Sequence, residues 1–280
     1  KMNFFIIIFT NLSTIQIIYQ LYLAILISRV VGGDEAAPYF GRYHASLQNL
    51  NGEHVCGGGI VSKRHIVTAA HCLFNAHPEY IKIIVGTTNL DKDGRKYETD
   101  SFVIHDDFNV NTKTNDIAII KSKNNFDCQL VDILPFSETK LQTNELVTVA
   151  GFGANKPNDL SNPIMQVVIM PVFDQETCKY AMRYTRNVTE SMFCTFTNIG
   201  QGTCHGDSGT PLIRNGEIVG LVSWGIPCAI GFPDVHTRIS PYVGWLRKQI
   251  NITSMFLQQT PLETRPQDYK NNSLRHPQAN

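Results

Sequence analysis

Residues Gly202-Thr203-Cys204-His205-Gly206-Asp207-Ser208-Gly209-Thr210-Pro211 set one serine between an acid and a glycine, in a turn closed by proline. Such a turn exposes a hydroxyl and aims backbone N–H groups at one point. Alone it is only suggestive. Two segments upstream complete it: Val67-Thr68-Ala69-Ala70-His71-Cys72 and Asn115-Asp116-Ile117-Ala118-Ile119-Ile120. Together they supply His, Asp and Ser in chain order. Ser208 is the candidate nucleophile, since a hydroxyl attacks only when a base takes its proton. His71 is the candidate base, because imidazole titrates near neutrality and can both accept and return a proton. Asp116 would hold His71 in one tautomer and stabilise the imidazolium. The apolar run after Asp116 places that carboxylate at the mouth of a core strand.

Around these motifs the chain reads as all-β. Short β-branched or aromatic runs are cut by Gly, Pro, Asn and Asp: Ile81 to Val85, Ile117 to Ile120, Leu146 to Ala150, Gln166 to Met170 and Ile218 to Trp224. That pattern predicts a sandwich or barrel. Tyr242, Trp245, Leu246 and Ile250 recur at helical spacing and predict a closing helix from Pro241 to about Ile250. A short helix is expected after His71. Residues 251–280 are rich in Gln, Asn, Pro and charge and are expected to be a disordered polar tail.

Composition narrows the classes. Lys+Arg and Asp+Glu each number 24, so the formal net charge is zero and nucleic acid is not an expected partner. The seven cysteines lack zinc spacing and read as a disulfide framework in an oxidising compartment. Residues 1–29 read as a signal segment with a short activation peptide, apolar over Met2 to Phe9 and again from Ile17 to Ile27. A secreted, extracellular protein is expected. A retained signal-anchor helix is the rival reading, because the stretch is long enough to span a bilayer.

With Arg29-Val30-Val31-Gly32-Gly33 and Ser223-Trp224-Gly225 added, the chain resembles the chymotrypsin/trypsin family of serine proteases from Val30 to about Ile250. The resemblance implies two six-stranded antiparallel barrels, dividing near residues 135–145, followed by the C-terminal helix. It implies an oxyanion hole from the N–H groups of Gly206 and Ser208. Ser223 would help hold the Asp116 carboxylate. A cut between Arg29 and Val30, made by an activating protease of basic specificity, would free an amine to pair with Asp207. It also implies bridges Cys56–Cys72, Cys178–Cys194 and Cys204–Cys228. Cys128 is left over, either as a free buried thiol, which is preferred, or as an intermolecular link.

By the same resemblance, Gly202 lies at the floor of the substrate pocket, where trypsin-like members carry Asp. Thr203 narrows the base, Gly225 opens one wall beside Trp224, and His205 sits at the lip. These residues favour Phe, Tyr, Trp, Leu or Met before the scissile bond. Asp234 complicates the pocket, since many members have Gly there. The pair Gly202 and Asp234 resembles insect chymotrypsins and crustacean collagenolytic proteases of broad specificity. A buried unpaired carboxylate is costly, so Asp234 is hydrated, bonded to Thr203, or used on basic substrates.

Thr210 replaces a usual glycine, which would strain the backbone if that position needs positive φ. Phe152 replaces a common tryptophan, and Val147 and Arg214 replace a family disulfide. No metal or cofactor is expected; Thr87 stands where calcium-binding relatives carry Glu. His44, His54, His65, His77, His105 and His236 read as surface or structural. Asn187, Asn251 and Asn271 head glycosylation sequons. The expected partners are protein or peptide substrates and protein protease inhibitors, with the protease itself a monomer. A catalytically silent binding protein is the competing class, supported only by Thr210.

Overall fold

A computed structural model describes residues 33–156, 159, 161–226 and 228–258. The strands are β1 (Asp34–Glu35), β2 (His44–Gln48), β3 (His54–Ile60), β4 (His65–Thr68), β5 (Lys82–Val85), β6 (Arg95–Ile104) and β7 (Ala118–Ser122). They continue as β8 (Leu146–Gly151), β9 (Gln166–Phe173), β10 (Met192–Thr195), β11 (Pro211–Arg214), β12 (Glu217–Gly225) and β13 (Asp234–Arg238). Helix α1 is Gln175–Met182 and helix α2 is Val243–Gln258. Each of the five β-branched runs read from the sequence falls on a strand.

Strands β2 to β7 close a first antiparallel barrel in the order β2-β3-β4-β7-β6-β5. Strands β8 to β13 close a second, because β9 pairs with both β8 and β10; β1 adds to its outside along β9. Closure removes the unpaired edges that an open sheet would expose. The bridge between barrels runs from the end of β7 to the start of β8.

Successive residues of a strand point to opposite faces, and the interior strands use both. In β4, Ile66 packs inside the first barrel while Val67 packs between the barrels. In β7, Ile120 faces the barrel and Ile119 the seam. The seam is completed from the other side by Ile218 and Leu221 of β12, with Tyr242 and Leu246 of the C-terminal segment laid against it. This explains why these strands read as continuous apolar runs. Leu246 and Tyr242 are the buried side of the helical periodicity. Helix α2 continues past Ile250 to Gln258. Residues 1–32 and 259–280, with the leader, the Arg29–Val30 cut and Asn271, lie outside the described residues.

Between β4 and β5, where a short helix was expected after His71, there is no α-helix but two 3-10 turns, Ala70–Cys72 and Pro78–Tyr80. No helix among the described residues is long and apolar enough to cross a membrane.

Candidate active site

His71 sits on the first of those 3-10 turns, directly beyond β4, and Asp116 precedes β7, the strand paired with β4. The pairing brings the two together. The Asp116 Oδ2 accepts from His71 Nδ1 at 2.7 Å, and Oδ1 accepts from the His71 backbone N–H at 2.8 Å. Ser223 Oγ donates to Oδ2 at 2.5 Å. Asp116 is fully buried, so three donors replace the water it has lost. With Nδ1 donating, Nε2 is left to act as a base. Two further bonds brace the segment: Thr237 Oγ1 to Asp116 O at 2.9 Å, and Tyr242 Oη to Asn115 Oδ1 at 2.8 Å. Both donors lie far along the chain, and the sequence reading missed them.

Ser208 lines a cleft of about 180 Å3 together with Thr203, His205, Ser223, Trp224, Gly225 and Asp234. The serine's turn is held against both barrels. Ser208 O accepts from Gly57 N–H of β3 at 2.8 Å, and Gly209 N–H donates to Val222 O of β12 at 2.8 Å. Gly206 and Gly209 carry φ of +93° and +76°; at Gly209 a Cβ would strike Thr68 Oγ1. Thr210 is not among the residues with positive φ. The strain its β-branch would have met is therefore absent, because Gly209 takes the left-handed step.

Behind the turn stands His54. Its Nε2 donates to Gly206 O at 2.9 Å while its Nδ1 accepts from Ser46 Oγ at 2.8 Å. Burial lowers its pKa to about 4, which keeps the ring neutral and the two roles fixed. His44 is also buried and meets Phe152 edge-on, as His54 does. Both are structural, but His54 bears on the site.

Asp207 is fully buried and accepts from the N–H groups of Gly153 and Cys204, each at 3.0 Å. Burial raises its pKa to about 6, against those two bonds. A Cβ on Gly151 or Gly153 would collide with this carboxylate. The Gly151-Phe152-Gly153 run is thus cut to fit Asp207.

Asp234, at the start of β13, reaches under the pocket floor. Its Oδ2 accepts from Thr203 N–H at 2.7 Å. A Cβ on Gly202 would lie 2.7 Å from Oδ2, and one on Gly225 3.4 Å from Oδ1. The two glycines read as open space in the sequence are occupied in part by this carboxylate. Burial pushes its pKa to about 7, opposed by the Thr203 backbone and hydroxyl and reinforced by the Asp207 charge. Among the described residues no cation pairs with it.

The bridges Cys56–Cys72, Cys178–Cys194 and Cys204–Cys228 are all formed. Cys56, His71 and Cys72 stand close enough to suggest a metal site, but the disulfide leaves no thiolate to ligate one. Cys128 is exposed. This corrects the expectation of a buried thiol: the segment after β7 crosses the surface between barrels. Arg214, where a family disulfide is missing, pairs with Glu145 at 2.5 Å. Asn187 and Asn251 are exposed.

The profile of the trypsin family matches residues 30–246. The chain belongs to this family of serine proteases and is a serine endopeptidase acting on protein substrates. It is 35% identical over 222 residues to "Chymotrypsin-2" of Vespa crabro, covering 78% of this chain and 99% of that protein. It is 32% identical over 234 residues to "Vitellin-degrading protease" of Bombyx mori, covering 82% and 88%. A "Trypsin" of Phaedon cochleariae is 31% identical over 232 residues, covering 80% and 89%.

Proposed function

We propose that Ser208, His71 and Asp116 form the catalytic triad of a secreted endopeptidase that works through an acyl-enzyme. Ser208 attacks the peptide carbonyl as His71 Nε2 takes its proton. The N–H groups of Gly206 and Ser208 receive the developing oxyanion; losing one such donor costs about 3–4 kcal/mol of barrier. His71 then returns the proton to the leaving amine, and a water repeats the sequence to free the acid. The observation that carries this reading is the doubly bonded His71–Asp116 pair, locked by Ser223, which together with Ser208 lines one cleft.

The protein is made as a zymogen. A protease of basic specificity cuts after Arg29, and the Val30 amine pairs with Asp207. Asp207 is suited to this: it is buried beside the nucleophile with two backbone donors and no cationic partner among the described residues. The active form is a monomer subject to protein protease inhibitors, and Asn187 and Asn251 are glycan acceptors.

The pocket prefers a large apolar side chain before the scissile bond, because Gly202 puts no charge at its floor. The name of the Vespa relative agrees with that preference. A second reading is favoured by Asp234, whose carboxylate lines the same pocket and would receive Lys or Arg when ionised. The test is a peptide chloromethylketone series on protein cut at Arg29. Labelling of His71 by a Phe reagent, lost in Ser208→Ala, supports the endopeptidase. Absence of labelling by every reagent makes the chain a silent binding protein.

A further inference from the structure

Beyond Val222 one edge of β12 is open. β11 pairs with β12 only as far as Leu221, while β13 continues on the other side to Gly225. A peptide whose carbonyl sits at Ser208, with its side chain between Thr203 and Gly225, can lay its preceding residues along Ser223–Gly225 as an added strand. Those residues then pass the ring of Trp224.

One cation is held at that passage, and a second lies in the loop to which the first is bonded. The Arg186 guanidinium lies 5.5 Å from the Trp224 ring centroid. It is fixed there, because Nε donates to Asn111 O at 2.9 Å. Lys113 follows in the same loop, at a left-handed φ of 58°, with its Nζ 5.9 Å from the Phe108 ring centroid. The loop is tied internally: Asn109 Oδ1 accepts from the N–H groups of Asn111 and Thr112 at 3.0 Å, and Lys113 N–H donates to Asn109 O at 2.8 Å. Burial lowers the Lys113 pKa; the Asp116 carboxylate opposes this and the Arg186 charge reinforces it.

Neither has an ion-pair partner among the described residues. The acids of the same rim are already engaged: Glu190 by Lys179 and Lys140, Glu176 by Lys179. Asp116 attracts Lys113, but its oxygens are committed to His71 and Ser223. Two like charges held together without a counter-charge form a site that an anion relieves. The formal net charge of zero gives no hint of it.

We propose that Arg186 beside Trp224, with Lys113 in the loop to which Arg186 is bonded, forms a cationic subsite that selects peptides with Asp or Glu among the second to fourth residues before the scissile bond. This rests on the endopeptidase reading above. A substrate carboxylate replaces the missing partner, while a Lys or Arg there meets two cations.

The test uses the full chain cut at Arg29 and matched peptides with one aromatic residue before the scissile bond. Glu, Ala or Lys is placed in turn at the second, third and fourth preceding positions. At one position or more, kcat/KM should fall in the order Glu, Ala, Lys, by about tenfold from end to end for a half-exposed pair of charges. The spread should shrink with added salt. Lys113→Asp, whose new side chain tolerates left-handed backbone, should narrow or invert the order, and Lys113→Asn should flatten it. A flat order, a preference for Lys, or an order that neither salt nor Lys113→Asp alters overturns the proposal. Calorimetric binding of the same peptides to Ser208→Ala separates the two readings. If nothing is turned over but Glu peptides still bind more tightly, the endopeptidase reading fails and the subsite stands. If turnover is normal and both orders are flat, the subsite alone fails.

Discussion

Asp116 and Asp234 are both buried carboxylates, yet they face different partners. Asp116 meets a histidine ring able to carry positive charge. Asp234 meets only the Thr203 N–H and hydroxyl, and burial lifts its pKa to about 7. Below that pH the pocket floor is neutral and suits an aromatic ring; above it a negative charge awaits a basic side chain. The expected outcome is a ratio of Lys to Phe cleavage that rises as pH goes from about 6 to about 8. Taking the ratio cancels every pH effect that both substrates share. Asp234→Asn should make the ratio independent of pH and low throughout. A wild-type ratio constant across that range would remove Asp234 from substrate choice. His54 offers a second test at this scale, since its bond to Gly206 O fixes the rear of the nucleophile turn. His54→Leu should lower kcat more than it raises KM, by about tenfold for one hydrogen bond and the slack it leaves. An equal loss in a binding assay would show instead that the pocket itself had collapsed.

Strand β3 shows what an element can and cannot disclose. Its Gly57-Gly58-Gly59 run reads as a weak strand, because glycine lowers β-propensity. The reason lies in what packs against each glycine, across the seam for Gly57 and Gly59 and on β4 for Gly58. A Cβ on Gly57 would strike Thr210 Oγ1, one on Gly58 would press Ile66, and one on Gly59 would lie 2.9 Å from Ile218 Cδ1. Gly57→Ala should destabilise by about 1–3 kcal/mol through overpacking, seen as a lower Tm. It should also disturb activity, because Gly57 N–H holds Ser208 O. A variant with unchanged Tm would mean that Thr210 yields freely. Much of the fold was legible from local pattern: alternating or continuous apolar runs fell on strands, and the spacing of Tyr242 and Leu246 fell on the buried side of the C-terminal segment. The motifs around His71, Asp116 and Ser208 were legible because residue type and order carry their chemistry. What stayed hidden depended on distant partners. Tyr242 on Asn115 and Thr237 on Asp116 O are contacts between segments far apart in sequence; Asp234 was read as a pocket residue through the resemblance, with its bond to Thr203 one of three alternatives left open. Cys128 was misplaced for the same reason, since exposure is settled by how the barrels are joined.

At the scale of the molecule, the two barrels share a buried apolar seam, and the nucleophile turn is bonded to both. Anything that shifts Asp207 is therefore felt at Ser208. The linkage can be followed by pH. In the described structure the folded-state pKa of Asp207 is raised to about 6 from 3.8. The folded chain then holds a proton that the unfolded chain has lost. Its contribution to stability is complete below about pH 4 and disappears as pH rises through about 6, amounting to roughly 3 kcal/mol. Asp207→Asn has no such titration, so the stability of the uncut wild type minus that of the variant should decline across this window. Subtraction also removes most of the parallel contribution of Asp234. Cutting after Arg29 should reverse the sign. An amine paired with Asp207 favours the ionised carboxylate, its folded-state pKa falls below the unfolded value, and the difference then grows as pH rises. Denaturant unfolding of cut and uncut protein, each with its Asp207→Asn counterpart, gives the two slopes. Opposite slopes tie activation to Asp207. Equal slopes would mean that the freed amine goes elsewhere and that the nucleophile turn is set without it.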